Sequence, residues 1–310
     1  MNFNIKIGTR GSALALWQAN HVAHLLQAKG INTEIITIET KGDKNLNQSF
    51  SEIGTKGIFT EEIENKLLVG EIDIAVHSAK DMQSELPQGL EIIAFLEREL
   101  PNDVLISNNK EINGKNIASY KIGTSSARRK ALLKHYYPSV EIVESRGNLQ
   151  TRIKKMEDGH CDALILAYAG IHRMGYDYLI REKLSVETFT PAVAQGSIAI
   201  ECSEALENNK KIEVRKILSD PTTWLCLTAE RSFLRTLEGG CSIPIFCLAT
   251  LVSGKITLNG GVVGLDGIEI CRESISDSIS ASKMIGIALA HKVINSGGAS
   301  ILKSIREKKL

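Results

Sequence analysis

Short apolar runs alternate with amphipathic stretches through the first two hundred residues, and the alternation is written twice. In the first pass "NIKIGTR" reads as a buried strand, "SALALWQANHVAHLLQAKG" as a helix capped by Ser12 and closed by Gly30, and "TEIITIET" as a second strand. "TEEIENKLLVG" follows as a short helix and "IDIAVHS" as a third strand. After Pro101 the order restarts, with strands at "YKIGTSS", "VEIVES" and "CDALILA" separated by helices at "ARRKALLKHYYP" and "NLQTRIKKMEDG". Strands separated by helices cannot pair through tight hairpins, so such a chain builds mostly parallel sheets covered by helices. Two units of this kind in tandem predict two α/β domains facing each other across a cleft.

An isolated strand pattern, "SIAIECS" (197–203), comes too late for the second unit and is expected to return to the first sheet. The first domain is then discontinuous, 1–98 with 197–217, around a second domain at 99–196. Beyond Pro221 a long helix, "TTWLCLTAERSFLRTLEGG", precedes three strands, "PIFCLATLV", "KITLNGGVV" and "IEICRESI", and two final helices. Ser253-Gly254 and Asp266-Gly267 are hairpin signals. Residues 218–310 therefore read as a smaller α+β domain with a three-stranded antiparallel sheet.

Bulk properties remove several function classes. Hydrophobic residues at 43% and a formal net charge of +1 describe a globular chain without the charge excess of a nucleic-acid or membrane-surface protein. The N-terminus passes directly into a strand pattern with no leader, and "CDALILAYAGI" is too short to span a bilayer. A cytoplasmic location is expected, with the six cysteines reduced. None forms a CxxC pair, and Cys241 and Cys247 have no histidine at zinc-like spacing, so no metal site is expected.

Arginine is the scarcer base, 13 against 24 lysines, and several arginines sit where strands become helices. Thr9-Arg10-Gly11-Ser12, Gly123-Thr124-Ser125-Ser126-Ala127-Arg128-Arg129 and Ser145-Arg146-Gly147-Asn148 are three such junctions. In open α/β sheets these junctions face the ligand crevice, and helix N-termini favour anions. Guanidinium forks placed there make carboxylate or phosphate receptors. Arg152 and Arg173 extend the set. No GxxxxGK[ST] and no GxGxxG after a strand is present, which disfavours nucleotides. The ligand expected is polyanionic. "AVHSAKDM" (75–82) ends a buried strand with Lys80 and Asp81, a charged pair at a strand's carboxyl end, although Asp81 could equally cap a helical turn.

"LEGGCSIP" (237–244) sets a cysteine in a glycine turn after the long helix, as an exposed thiol open to attachment, nucleophilic chemistry, disulfide pairing or metal binding. With these pieces assembled the chain resembles the porphobilinogen deaminase (hydroxymethylbilane synthase) family in nearly its whole length. The resemblance rests on "IGTRGSALALWQ", "GTKGIFTEEIE", "DIAVHSAKDM", "GTSSARR", "SRGNLQTR", "LAYAGIHRMG", "PAVAQG" and "LEGGCSIP", in that order. It implies two α/β lobes of the periplasmic-binding-protein kind around a cleft, and a transferase of tetrapyrrole (heme) synthesis. It implies a dipyrromethane cofactor joined to Cys241 by a thioether, serving as primer for four porphobilinogen units added with loss of ammonia. Asp81 matches the family's catalytic aspartate. Lys80, Asp81, Thr124, Ser125, Ser126, Arg128, Arg129, Arg146 and Gly147 match cofactor contacts, and Arg10, Ser12, Lys56, Arg146, Arg152, Arg173 and Gln195 match substrate contacts. A monomer with no macromolecular partner is expected.

The residues depart from the family pattern twice. Met82-Gln83 replaces Val-Pro, and Ala194 replaces a glycine, which would strain Ala194 if φ is positive there. The segment Gly42 to Thr60 is long and aperiodic, and reads as a lid over the cleft. A non-catalytic two-lobed carboxylate-binding protein is the competing reading. It leaves Asp81, Cys241 and the third domain without a purpose.

Overall fold

The structure, a computed structural model, describes residues 4–40, 60–240 and 242–307. The strands are β1 (Asn4–Arg10), β2 (Asn32–Ile38), β3 (Ile74–Ser78), β4 (Leu90–Phe95), β5 (Asp103–Ile106), β6 (Lys121–Gly123) and β7 (Glu141–Val143). They continue as β8 (Ala163–Ala167), β9 (Ile180–Lys183), β10 (Ile198–Ser203), β11 (Ile245–Val252), β12 (Lys255–Val263) and β13 (Ile270–Ser278). The helices are α1 (Ala13–Gln27), α2 (Glu61–Leu68), α3 (Ala127–Tyr136), α4 (Leu149–Glu157) and α5 (Tyr168–Arg173). Then come α6 (Asn208–Leu218), α7 (Pro221–Thr236), α8 (Ser282–Val293) and α9 (Ala299–Glu307). The chain divides into two compact units, residues 1–99 with 197–224 and residues 100–196 with 225–310.

The first unit holds a five-stranded sheet in the order β2-β1-β3-β10-β4. β1 runs parallel to β2 and β3, while β10 is antiparallel to both β3 and β4. The late strand pattern at 197–203 is thus an inner strand of the first sheet. Alternation along each strand gives the sheet two apolar faces. Ile74 and Val76 of β3 join Ile198 and Ile200 of β10 under α1, packed on Ala19, Val22 and Leu26. Ala75, on the opposite face, lies with Ile63 and Leu67 of α2.

The second unit repeats this topology as β7-β6-β8-β5-β9, with β5 the antiparallel strand. Leu105, Ile122, Ala163 and Ile165 pack against Ala131, Leu132 and Leu133 of α3 on one face. Val104, Ile106, Leu164 and Leu166 pack against Ile153 and Met156 of α4 on the other. The same unit contains the antiparallel sheet β11-β12-β13, whose Phe246 and Val263 join the α3 core.

The structure differs from the sequence expectations in two places. It adds β4, β5 and β9, each of which pairs with an antiparallel neighbour outside the helix-linked repeat that makes the other strands legible. Ser253-Gly254 does make a two-residue turn, with φ of 50° and 76° joining Val252 to Lys255. Asp266-Gly267 does not. It lies in a longer loop between Val263 and Ile270, closed by Gly264 N donating to Glu269 O at 2.8 Å. This loop leans on α3: the His135 ring nitrogen Nδ1 is 2.8 Å from Gly267 O, and a Cβ on Gly267 would meet Ala131 O at 2.8 Å. Residues Ile279–Glu307 are long and apolar enough by composition to cross a membrane. Here they are two helices broken at Ser296 and Gly297 (φ 106°), with Ile285, Leu289, Val293, Ile301 and Ile305 buried in the protein.

Candidate functional site

In the first unit β1 and β3 run parallel, so their carboxyl ends share one edge of the sheet. β1 ends on Arg10, and Ser12 caps α1 by accepting from Ala15 N at 3.4 Å. β3 runs into a 3₁₀ turn, Ala79–Asp81, anchored where Ala79 N donates to Ser197 O at 3.0 Å. Gln18 of α1 donates to Ser78 Oγ at 3.0 Å and ties the two junctions together. Asp81 is exposed and Lys80 half-buried. The sheet therefore delivers a carboxylate and three polar or cationic side chains to one edge.

In the second unit β6, β7 and β8 are parallel and bring three junctions to their common carboxyl edge. Thr124, Ser125 and Ser126 lead into α3, where Ser126 accepts from Arg129 N at 3.4 Å. Arg146 and Gly147 lead into α4, capped by Asn148, which accepts from Thr151 N at 2.9 Å. Gly147 has φ 114°, and a Cβ there would lie 2.7 Å from the Thr151 side chain, so the turn excludes larger residues. Arg152 Nε donates to Gly147 O at 2.7 Å, bracing the turn from within α4. Arg173, ending α5, donates to Gly196 O at 2.7 Å.

Because β5 is antiparallel to β8, its first residue, Asp103, lies at this same edge opposite Ala167. Asp103 is fully buried and holds both arginines of the α3 junction. Arg128 Nη2 is 2.8 Å from Oδ2, while Arg129 donates to Oδ1 through Nε at 3.1 Å and Nη2 at 2.8 Å. Gln195, also buried, donates to Asp103 Oδ1 at 2.9 Å and to Pro101 O at 2.7 Å. Burial alone would raise the Asp103 pKa, but the charges of Arg128 and Arg129 overcome it and hold the carboxyl well below the usual range. Sequence reasoning gave the forks of Arg128 and Arg129 and the amide of Gln195 to a ligand; in the structure they are engaged by Asp103. Three charges, two positive and one negative, leave this buried cluster net cationic. The missed residue had one sequence signal, a charge opening the buried strand "DVLI".

Two buried polar atoms at this edge lack an acceptor or donor of their own, Arg128 Nε and Ser145 Oγ. Arg146 itself pairs with Glu144 through Nε at 3.4 Å, and Lys130 contacts the other oxygen of Glu144. Burial would raise the Glu144 carboxyl, but Lys130 and Arg146 lower it on balance. An edge with an excess of cations and unpartnered buried donors suits a polycarboxylate.

Residues 5–211 match the family model for the porphobilinogen deaminase dipyrromethane cofactor binding domain, and residues 224–295 match the porphobilinogen deaminase C-terminal domain. The chain belongs to the porphobilinogen deaminase family. It is 53% identical over 307 residues to the porphobilinogen deaminase of Cytophaga hutchinsonii, covering 99% of this chain and 98% of the relative. It is 50% identical to that of Desulfosudis oleivorans, covering 98% of each. Among solved structures it is similar to the VFT2 domain of Bordetella pertussis BvgS (17% identity, 69% of this chain and 84% of that one, TM-score 0.40). It is also similar to an arginine periplasmic binding protein from Legionella pneumophila (13% identity, 70% and 92%, TM-score 0.41).

In the turn "LEGGCSIP" the structure requires one of the two glycines. α7 stops in a Schellman turn: Gly239 N donates to Leu234 O and Glu238 N to Arg235 O, both at 2.9 Å. The left-handed residue of that turn is Glu238, φ 50°, rather than a glycine. Gly239 serves packing instead, since a Cβ there would lie 2.4 Å from Leu234 and 2.6 Å from Ile245, whereas Gly240 is uncrowded. Cys241 lies outside the described residues, as do Lys56 and nearly all of the 42–60 segment. Among the described residues Cys161, Cys202, Cys226, Cys247 and Cys271 are buried thiols that form no disulfide. Burial pushes the Cys161 thiol up to about 11 and the Cys202 thiol up to about 12, which keeps both unreactive.

Both departures from the family pattern have local consequences. Ala194 adopts φ 62°, the left-handed conformation that strains a non-glycine residue. It is fixed there by Glu230, a buried carboxylate that accepts from Ala194 N at 2.7 Å and from Ala249 N at 2.8 Å. Gln83, in place of the family's proline, reaches α2: its amide donates to Glu64 Oε1 at 3.2 Å.

Proposed function

We propose that this chain is a hydroxymethylbilane synthase that joins four porphobilinogen molecules head to tail, releases four ammonia molecules and hydrolyses the product from its primer. The observation that carries the reading is Asp81, an exposed carboxylate at the carboxyl end of a buried strand, on an edge shared with Arg10, Ser12 and Lys80. As the protonated amine leaves porphobilinogen, positive charge spreads to the pyrrole nitrogen. A fixed carboxylate beside that nitrogen stabilises the charge, as an oxyanion hole does for the opposite sign. Loss of ammonia from one pyrrole and loss of the α-proton from the other balance the new carbon–carbon bond, with the proton carried off by ammonia.

The dipyrromethane, when bound, supplies the nucleophilic pyrrole α-carbon. Cys241 would hold it, and Lys80, Thr124, Ser125, Ser126, Arg128, Arg129, Arg146 and Gly147 would surround it. Arg146 is partly exposed beside the cap of α4, placed to exchange Glu144 for a ligand carboxylate. Arg128 and Arg129 contribute the positive charge of their Asp103 cluster, and Arg128 Nε still has a donor to offer. Arg10, Ser12, Lys56, Arg152 and Arg173 complete the proposed substrate set, with Gln195 acting on it through Asp103. The same reading takes residues 1–98 with 197–217, 99–196 and 218–310 as three domains of a cytoplasmic monomer. Porphobilinogen consumption with matching ammonia release tests it. Purified protein that binds porphobilinogen without consuming it would overturn catalysis and favour a carboxylate-binding role.

A further inference from the structure

The face of the first sheet covered by α2 is apolar except for one cluster. Glu64 of α2, His77 of β3 and Glu201 of β10 are all buried there. Strand alternation puts His77 on the face of Ala75, and Glu201 on the same face from the neighbouring strand. His77 Nε2 lies 3.1 Å from Glu201 Oε2. Gln83 reaches the cluster from the other side of the 3₁₀ turn, with Nε2 at 3.2 Å from Glu64 Oε1 and at 3.5 Å from both Oε2 and Thr60 Oγ1. Burial raises the Glu64 carboxyl above its ordinary range on balance, with the Glu201 charge adding to the rise and the hydrogen bonds from Thr60 and Gln83 opposing it. A buried carboxylate is costly unless it is paired and hydrogen-bonded. Glu64 meets that need through the Gln83 amide, whereas the oxygens of Glu201 have His77 beside them but accept no hydrogen bond.

We propose that Gln83 and Glu64 are positioning residues for Lys80–Asp81: the amide of Gln83, donated to the Glu64 carboxylate, fixes the chain just after Asp81, as the β3–β10 ladder and the bond from Ala79 N to Ser197 O fix it just before. The bond takes over the restraint that a proline ring would otherwise give this turn. It acts on where the Asp81 carboxylate sits, and so on the step in which charge develops, rather than on substrate capture. The inference rests on the role given to Asp81 above.

The test is steady-state kinetics on the full-length holoenzyme with porphobilinogen, comparing Gln83→Ala, Glu64→Gln, the double swap E64Q/Q83E, and Asp81→Asn. Removing one hydrogen bond to a charged group should lower kcat about tenfold in Gln83→Ala, with KM nearly unchanged. Glu64→Gln keeps an acceptor oxygen for the Gln83 amide and loses only the charge, so it should fall less than Gln83→Ala. The swap, which restores an amide–carboxylate bond with the roles reversed, should recover most of the loss. Wild-type kcat in Gln83→Ala, or a swap no better than its single variants, overturns the proposal. Gln83 is half-buried, so its alanine variant remains informative if Glu64→Gln does not fold. An inactive Asp81→Asn beside an unaffected Gln83→Ala sinks the positioning role alone, whereas a fully active Asp81→Asn sinks the reading beneath it.

Discussion

Two aspartates stand at the carboxyl edges of two sheets with the same strand order, and their surroundings give them opposite duties. Asp81 follows a parallel strand, ends in an exposed turn and faces outward. Asp103 opens an antiparallel strand, is fully buried and is gripped by Arg128, Arg129 and Gln195. The exposed carboxylate can meet charge that develops on a substrate. The buried one meets charge that is already present and organises the arginines around it. Residue type and fold position are shared; burial and partners decide the role.

Replacing Asp103 should break that comparison most severely. Asp103→Asn leaves two guanidinium groups buried without a counter-charge, which costs about 3–5 kcal/mol. Thermal or urea unfolding should show it. The sign of its pH dependence follows from the depressed carboxyl. The stabilisation is fully present above the ordinary aspartate range and is lost as pH falls through it towards the folded value. Wild-type stability should therefore fall below about pH 4 along a slope that Asp103→Asn lacks.

Asp81→Asn should do the reverse, leaving the unfolding curve in place and slowing turnover. By analogy with removing one preorganised partner of transition-state charge, the loss should be about 100- to 1,000-fold in kcat. An unfolding midpoint that moves as far as in Asp103→Asn would erase the distinction. Arg146→Lys keeps the charge but loses the planar fork, and should slow elongation by roughly tenfold, with an intermediate accumulating in intact mass spectra. A wild-type distribution of intermediates would remove Arg146 from the binding set.

The smallest effect is expected at Ala194. Glycine there would relieve a left-handed strain of about 1–2 kcal/mol, part of which is returned as unfolded-chain entropy and a lost methyl contact. Ala194→Gly should gain less than about 1 kcal/mol, readable as a small rise in unfolding midpoint. A fall instead would show that the buried Ala194 methyl stabilises more than its backbone strains.

Much of the scaffold could be read because it is periodic. α1 announced its cap at Ser12, and β3 its buried run ending at Lys80–Asp81. What escaped reading depends on pairings between distant residues. Nothing local to "NDVLI" says that β5 runs antiparallel to β8, and only that direction puts Asp103 beside Arg128 and Arg129. Glu64, His77 and Glu201 are separated by 13 and 124 residues (77 − 64 and 201 − 77), and share a face only through strand order and helix packing. The sequence shows Gln83 only as an absent proline, and nothing local to it points to the bond it makes with Glu64. Ala194 was the exception. A glycine position occupied by alanine pointed directly to its backbone angle.

We propose that the thiol of Cys241 carries the primer on which this chemistry runs, and intact mass spectrometry with peptide mapping tests it most directly. Protein from cells supplied with porphobilinogen should carry the mass of two pyrrole units on Cys241, and the Cys241→Ser variant should carry none. An unmodified Cys241 in such protein, or an adduct that survives Cys241→Ser, would contradict the account.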